Sequence, residues 1–338
     1  MEKPVLGILL GEACGIGPEI VSKLCAEEKL EKYCRPVLIG DLRVLNAGKK
    51  AAGVNFNVQI IDDVSEATWN NDIPMLDQRN LDPSEIKMGT LDPLSGKITG
   101  DMLLTSLELC KRGVIEGFVY GPLNKAAMQL GGYKFPDELR LMAHYLNWTE
   151  YHSELNVLNN LWTSRVTSHV PIREVADHIT KEGIVDAVVL IHNTIKSAGA
   201  EHPRIAVAAL NPHAGENGLC GREEIEVIKP AIKFALSELN INVSGPYPGD
   251  TVFINATKGH FDAVVTMYHD QGQIALKLLG FQFGVTVNGG LPYPITTPAH
   301  GTAFDIAGKG IASPAAMEQA VILAARIAAR KKQEEGKD

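Results

Sequence analysis

Three of the ten histidines sit where strand-like runs end, and α/β proteins place their ligands at strand ends. His169 follows Arg165-Val166-Thr167-Ser168 and precedes Pro171. His213 lies in Asn211-Pro212-His213-Ala214-Gly215-Glu216, after the apolar run 205–210. His269 falls in Met267-Tyr268-His269-Asp270-Gln271-Gly272, after the run 263–267. Neutral imidazoles suit Zn, Co, Mn or Fe, and a three-histidine site leaves positions open for a substrate. A lone histidine at a strand end can equally be a hydrogen-bonded structural residue, and wide spacing alone does not separate the two roles. Asp270 adjoins His269, Lys277 follows a helical turn or two later, and Asp250 stands in Gly249-Asp250-Thr251. Carboxylates with a lysine can orient a hydroxyl and take its proton; a turn aspartate and a solvated helix lysine are the plainer roles. Lys125, in Gly121-Pro122-Leu123-Asn124-Lys125, ends another strand and can reach a ligand or point to water.

Two glycine-bearing stretches complete the candidates. Gly11-Glu12-Ala13-Cys14-Gly15-Ile16-Gly17-Pro18-Glu19 links a strand to a helix, with Pro18 in the first turn and Glu19 at its positive end. It is not the dinucleotide fingerprint, because Ile20 stands where the third glycine belongs. The stretch His300-Gly301-Thr302-Ala303-Phe304-Asp305-Ile306-Ala307-Gly308-Lys309-Gly310 is rich in small residues. Such a loop suits a flat ligand laid against main chain, with His300 available to stack.

The elements that must position these residues alternate. β-Branched runs at 5–10, 36–40, 58–61, 117–121, 154–158, 205–210, 263–267 and 285–287 read as strands. Helical spacing fills 20–30, 102–115 and 223–239, and a last helix spans 316–331 before a solvated tail at 334–338. This is an α/β pattern with a mainly parallel or mixed sheet. A length of 338 residues predicts about two domains. With 45% hydrophobic and 21% charged residues, disordered and fibrous classes are excluded. A formal charge of −8 with no basic cluster argues against nucleic acid as a partner. Five scattered cysteines without a CxxC fit a reducing compartment. No run approaches the roughly 18 apolar residues of a membrane span, so a soluble cytoplasmic protein is expected, with no membrane partner.

In chain order, GIGPE, GPLNK, His169 before Pro171, NPHAGENG, GP-x-P-x-DT-x-F, MYHDQG and HGTAFDIAGKG resemble the 4-hydroxythreonine-4-phosphate dehydrogenase family. The likeness runs from residue 5 to about 330, and several of these motifs are individually rare. The last also resembles the adenine-side loop of isocitrate and isopropylmalate dehydrogenases, whose fold this family shares. The resemblance implies a two-domain isocitrate/isopropylmalate dehydrogenase-like α/β fold with a central mixed sheet, not a classical Rossmann fold. It implies a cofactor-side domain of residues 1–125 plus 290–338, and a metal, substrate and dimerisation domain near 126–289. It implies a homodimer with sites near the interface. One divalent metal (Zn, Co, Mn or Mg) would be held by His169, His213 and His269, the last open to being supplied by the other subunit. NAD or NADP would lie along His300, Gly301, Thr302, Ala303 and Asp305. The implied reaction oxidises a secondary alcohol, after which the β-keto acid loses CO2. Asp250, Asp270 and Lys277 match family positions around the substrate, with the general base left open among them.

The substrate side departs from that pattern. Where the family shows Gly-His-Thr-Glu, this chain has Asp137-Glu138-Leu139-Arg140; Thr286 replaces an Asn, and Ile295 replaces a substrate-binding Arg. Ile cannot substitute for a guanidinium matched to phosphate. Glu138, Leu139, Thr286, Ile295 and Lys125 are therefore the expected substrate-side positions, and a changed substrate is expected with the chemistry kept. Glu138 would disfavour phosphate and accept an amine or hydroxyl, unless Arg140 or Arg165 compensates. Aromatic cis-dihydrodiol carboxylates and (phosphorylated) sugar acids are the alternative substrates. The rival classes are a non-redox three-histidine lyase or hydrolase and a catalytically silent binding protein.

Overall fold

The computed structural model describes residues 3–70 and 72–335, so residues 336–338 of the expected tail lie outside it. Among the described residues are strands β1 (Val5–Leu9), β2 (Arg35–Gly40), β3 (Val58–Ile61), β4 (Ile73–Asp77), β5 (Gly117–Tyr120) and β6 (Ser153–Leu158). They continue with β7 (Leu161–Arg165), β8 (Ile205–Ala208), β9 (Val243–Tyr247), β10 (Ala263–Thr266), β11 (Val285–Gly289) and β12 (Ile295–Pro298). The chain divides into two compact units, one of residues 1–149 and 291–338, the other of residues 150–290. Segment 126–149, read from the sequence as the start of the second domain, packs with the first. The reason is close helix contact: a Cβ on Gly96, in helix Pro93–Lys111, would lie 2.1 Å from the carbonyl carbon of Ala127. Only glycine lets helix Lys125–Leu130 approach so near.

The first unit's strands run β3-β4-β2-β1-β5-β12, every neighbour parallel. Strands β1, β5 and β12 are buried along their whole length, as a parallel sheet covered on both faces requires. The second unit's strands run β11-β6-β7-β10-β8-β9. There β11, β6 and β7 pair antiparallel, whereas β7, β10, β8 and β9 are parallel. The α/β class with mixed sheet pairing is thus as expected. Ends of β7, β10, β8 and β9 share one edge, so the segments bearing His169, His269, His213 and Asp250 all leave the sheet there.

Four strands escaped the sequence reading, each for a local reason. β7 follows β6 across the two-residue turn Asn159-Asn160, with Asn159 at φ 53, so the hairpin reads as one short run. β4 contains Pro74, β9 contains Gly245 and Pro246, and β12 is flanked by Pro294 and ends on Pro298; such residues weaken a strand signal. The expected helix 223–239 is present in two parts, a π-helical turn Glu224–Ile228 and the α-helix Lys229–Ser237. Pro230 has no N–H to return to the preceding turn, and the widened turn accommodates it. Among the described residues no helix is long and apolar enough to cross a membrane.

Candidate active-site residues

In the second unit, strand pairing continues past the ends of β7 and β10. Val166 N–H donates to the Thr266 carbonyl at 2.9 Å, and the Thr167 N–H and hydroxyl both reach the Met267 carbonyl, at 3.1 and 2.8 Å. Gln271 ties the next strand in: its Oε1 accepts from Met267 N–H at 2.7 Å and its Nε2 donates to the Ala209 carbonyl at 2.7 Å. These bonds bring His169 and His269 together, with ring centroids 5.9 Å apart and planes at 37°. Both line a cavity of ≈ 260 Å³ with Thr167, Tyr268 and Asp270. His269 Nδ1 donates to Asp270 Oδ1 at 2.7 Å. Asp270 and Lys277 are exposed, seven residues apart on helix His269–Gly280, and so share a face. Asp250 is exposed in the first turn of helix Gly249–Thr257, which Val252 and Phe253 anchor against Ala206, Ala208 and Val264.

His213 stands apart from that pair. It opens a run of five left-handed residues, His213 to Asn217, with φ from 42° to 77°. For non-glycine residues this conformation costs about 1–2 kcal/mol each, and the buried carboxylate of Glu224 offsets it. Glu224 Oε1 accepts from the Leu210 and Asn211 N–H groups at 2.9 and 2.7 Å, while Asn211 Nδ2 donates to its Oε2 at 3.0 Å. His213 Nδ1 donates to Glu216 Oε1 at 2.6 Å. Sequence reading missed Glu224; a carboxylate closing the segment after a glycine-rich loop was the available signal. Among the described residues no group of three His, Cys, Asp or Glu is placed to hold one cation, so the expected triad is not assembled within the described chain.

The two histidines nonetheless fit a share of such a site. Imidazoles holding one cation at about 2.0–2.1 Å stand with centroids roughly 4.5–5.5 Å apart, a few tenths of an ångström closer than the 5.9 Å between His169 and His269. His213 and His269 each give Nδ1–H to a carboxylate, the arrangement that leaves Nε2 as the ligating nitrogen and fixes the ring.

In the first unit, the loop that begins at His300 is fastened by the GIGPE helix. Glu19 accepts from the Gly310 and Ala312 N–H groups at 3.2 and 2.8 Å. Lys23, paired with Glu19 at 2.9 Å, donates to the carbonyls of the same two residues at 2.9 and 2.6 Å. Ile16 N–H donates to the buried Thr302 carbonyl at 3.1 Å, and a Cβ on Gly15 would lie 2.9 Å from that oxygen. Gly301 faces open space and Ala303 is left-handed at φ 45, while Asp305 is exposed. Beside Gly308 a ≈ 120 Å³ pocket is lined by Ala13, Gly15, Val44, Ala47 and Met88. A shelf of small side chains and open main chain fits a flat ring. Burial holds the His300 imidazole below its usual pKa, against the raising effect of the Gly301 carbonyl.

The substrate-side positions divide. Glu138 is buried, with Tyr120 Oη donating to its Oε1 at 3.2 Å and Lys125 Nζ 3.5 Å from its Oε2. Asp137 caps the helix Glu138–Tyr145 by accepting from Arg140 N–H at 2.8 Å, and Arg140 also pairs with Asp137. Leu139 is 2% exposed and Ile295 0%, so both side chains are packed in the core. Thr286 is also buried, its hydroxyl accepting from Asn156 Nδ2 at 3.0 Å. Arg165 is buried and pairs with Glu154 at 2.6 Å.

The sequence matches the family described as pyridoxal phosphate biosynthetic protein PdxA over residues 32–324. A Rhizobium meliloti protein provisionally named 4-hydroxythreonine-4-phosphate dehydrogenase 2 is 42% identical, over 98% of this chain and 95% of its own. An Oceanobacillus iheyensis protein provisionally named D-threonate 4-phosphate dehydrogenase is 39% identical, over 98% and 99%. The crystal structure of the 4-hydroxythreonine-4-phosphate dehydrogenase of Klebsiella pneumoniae aligns with a TM-score of 0.85 at 35% identity, covering 96% of this chain and 98% of that one. The protein is therefore an α/β oxidoreductase, a dehydrogenase acting on a CH–OH group. It belongs to the PdxA family.

Proposed function

We propose that the protein oxidises the secondary alcohol of a 4-phosphorylated four-carbon hydroxy acid, with NAD or NADP and one divalent metal, and that the resulting β-keto acid loses CO2. The compounds in the relatives' names, 4-hydroxythreonine 4-phosphate and D-threonate 4-phosphate, share an alcohol β to a carboxylate and beside a phosphorylated carbon. The observation that carries the reading is the pairing of His169 and His269 beside Asp270 on the rim of one cavity. A bound metal would be held by His169, His269 and His213 and would supply Lewis acidity at the substrate oxygen, and a bound nicotinamide would supply a hydride acceptor. A homodimer completes the ligand set. In support, the helix bearing His269 leaves Leu278 84% and Ile274 60% exposed, apolar surface that a second copy would cover.

The chain's own residues then manage protons and orientation. Asp270 holds the Nδ1–H of His269, which leaves proton transfer to Asp250 and Lys277. The hydroxyl proton goes to one of these as the C–H hydride departs; loss of CO2 leaves a carbanion equivalent, and a proton returned to carbon gives the ketone. The loop beginning at His300, with Thr302, Ala303 and Asp305, cradles the cofactor. Lys125 and Glu138 together carry no net charge, which removes the electrostatic objection to a phosphate. A second reading, a non-phosphorylated substrate such as an aromatic cis-dihydrodiol carboxylate, is favoured by the burial of Ile295 and the engagement of Arg165. NADH formation with added Zn, Mn, Co or Mg over D-threonate 4-phosphate, 4-hydroxythreonine 4-phosphate and cis-dihydrodiols decides. The proposal expects turnover of a phosphate ester; turnover of dihydrodiols alone establishes the second reading, and no reduced nicotinamide with any of them overturns both.

A further inference from the structure

Arg165 closes β7 with a side chain only 6% exposed, and all three of its nitrogens are engaged. Nε donates to the Ser168 hydroxyl, one terminal nitrogen to Asn156 Oδ1 at 3.1 Å and the other to Glu154 Oε2 at 2.6 Å. Asn156 Oδ1 also accepts from Gln273 Nε2 at 2.5 Å, one turn after His269 on its helix. From the other end of the Asn156 amide, Nδ2 donates to Thr286 on β11. A single buried guanidinium thus joins the residue before His169 to the helix that carries His269.

Strand pairing alone does not fix those rings. The last main-chain bonds end at Thr167, and His169, two residues on, sits in the left-handed region at φ 53. Its immediate neighbour Ser168 is tied to Arg165. A partly buried ion pair is weak evidence for stability, since well-packed apolar residues serve that end as well or better. What a planar fork adds is direction at three points at once.

We propose that Arg165 is a positioning residue that sets the separation and tilt of His169 and His269, through Ser168 on one side and through Asn156 and Gln273 on the other. The inference rests on the proposed role of these histidines as metal ligands. Removing Arg165 deletes three hydrogen bonds at once and risks the fold, so the test cuts the two arms instead, with Ser168→Ala and Gln273→Leu, alone and together. Cobalt(II) affinity of the full-length protein is measured by calorimetry, and the imidazole resonances of the metal-free protein by 1H–15N spectra. Each single change is expected to weaken cobalt about 10- to 100-fold and shift both imidazoles, with KM for the dinucleotide unchanged. The double change should cost less than the product, because both arms act through one guanidinium, and Arg165→Lys should not restore a three-point contact. Wild-type affinity with unmoved resonances, or effects that multiply, overturns the proposal. A wild-type protein that binds no cobalt defeats the metal reading instead, and the metal-free resonances still decide whether Arg165 positions the rings.

Discussion

The loop beginning at His300 in the first unit and the histidine edge of the second are held by opposite means. One ion pair, Glu19 with Lys23, grips the loop by its main chain at Gly310 and Ala312, so the loop's own side chains can be small. The histidine edge is tied through side chains: Arg165 to Ser168, Asn156 and Glu154, and Glu224 to the main chain just before the left-handed turn of His213. On the proposed function, the loop would take a broad, flat ligand, which needs main chain kept open, and the histidine edge a point charge, which needs individual rings aimed. Substitutions should therefore separate the two regions cleanly.

The largest effect belongs to the rings. His169→Ala, His213→Ala and His269→Ala should each lower kcat on the order of 10³-fold, as loss of a metal ligand would, with dinucleotide binding retained in a fluorescence titration. Retained kcat in any of them removes that histidine from the site. Next comes Glu224→Ala, which frees three donors beneath the left-handed turn; cobalt affinity should fall about 10- to 100-fold, with only His213 among the imidazole resonances displaced. Movement of His169 as well would show that the two histidine neighbourhoods are not separate.

The loop's staple gives the reverse pattern. Glu19→Gln or Lys23→Ala weakens charge-assisted bonds worth about 1.5–3 kcal/mol each, so KM for the dinucleotide should rise about tenfold or more while cobalt affinity stays as in wild type. A last effect concerns stability rather than the site. Burial pushes the Glu12 carboxyl up to about 7 from its usual 4.5, with the Ser95 side chain opposing. The folded state therefore binds that proton more tightly than the unfolded one, and stability falls as pH rises from 4.5 to 7. Glu12→Gln removes this loss, at most about 1.4 kcal/mol per pKa unit. Urea denaturation should show the variant gaining on wild type between pH 5 and pH 8; an equal gap at both would contradict it.

Much of the first region was legible in the sequence. Gly301, Thr302 and Ala303 announce open main chain by composition, and the lack of a glycine at Ile20 already excluded a Rossmann turn. What holds the loop was not legible, because Glu19 reads locally as a helix-dipole residue and its partners lie 291 and 293 positions away. In the second unit, strand ends named the three histidines, but periodicity carries no information about which rings meet. The left-handed conformation of residues 213–217 depends on Glu224 folding back beneath the turn, so His213 could not be placed apart from the pair in advance. Ile295 and Leu139 read as altered substrate contacts because their positions matched a family pattern; that both are packed in the core could not be read from the sequence. Arg165, read as a spare cation for phosphate, was claimed by Glu154 across the hairpin.

X-ray absorption at the metal edge of the zinc- or cobalt-loaded protein tests the account most directly. Scattering from three imidazole rings around one ion, reduced by one ring in His213→Ala, is the predicted result. A shell of oxygen ligands alone, unchanged by substitution of His169 or His269, would contradict it.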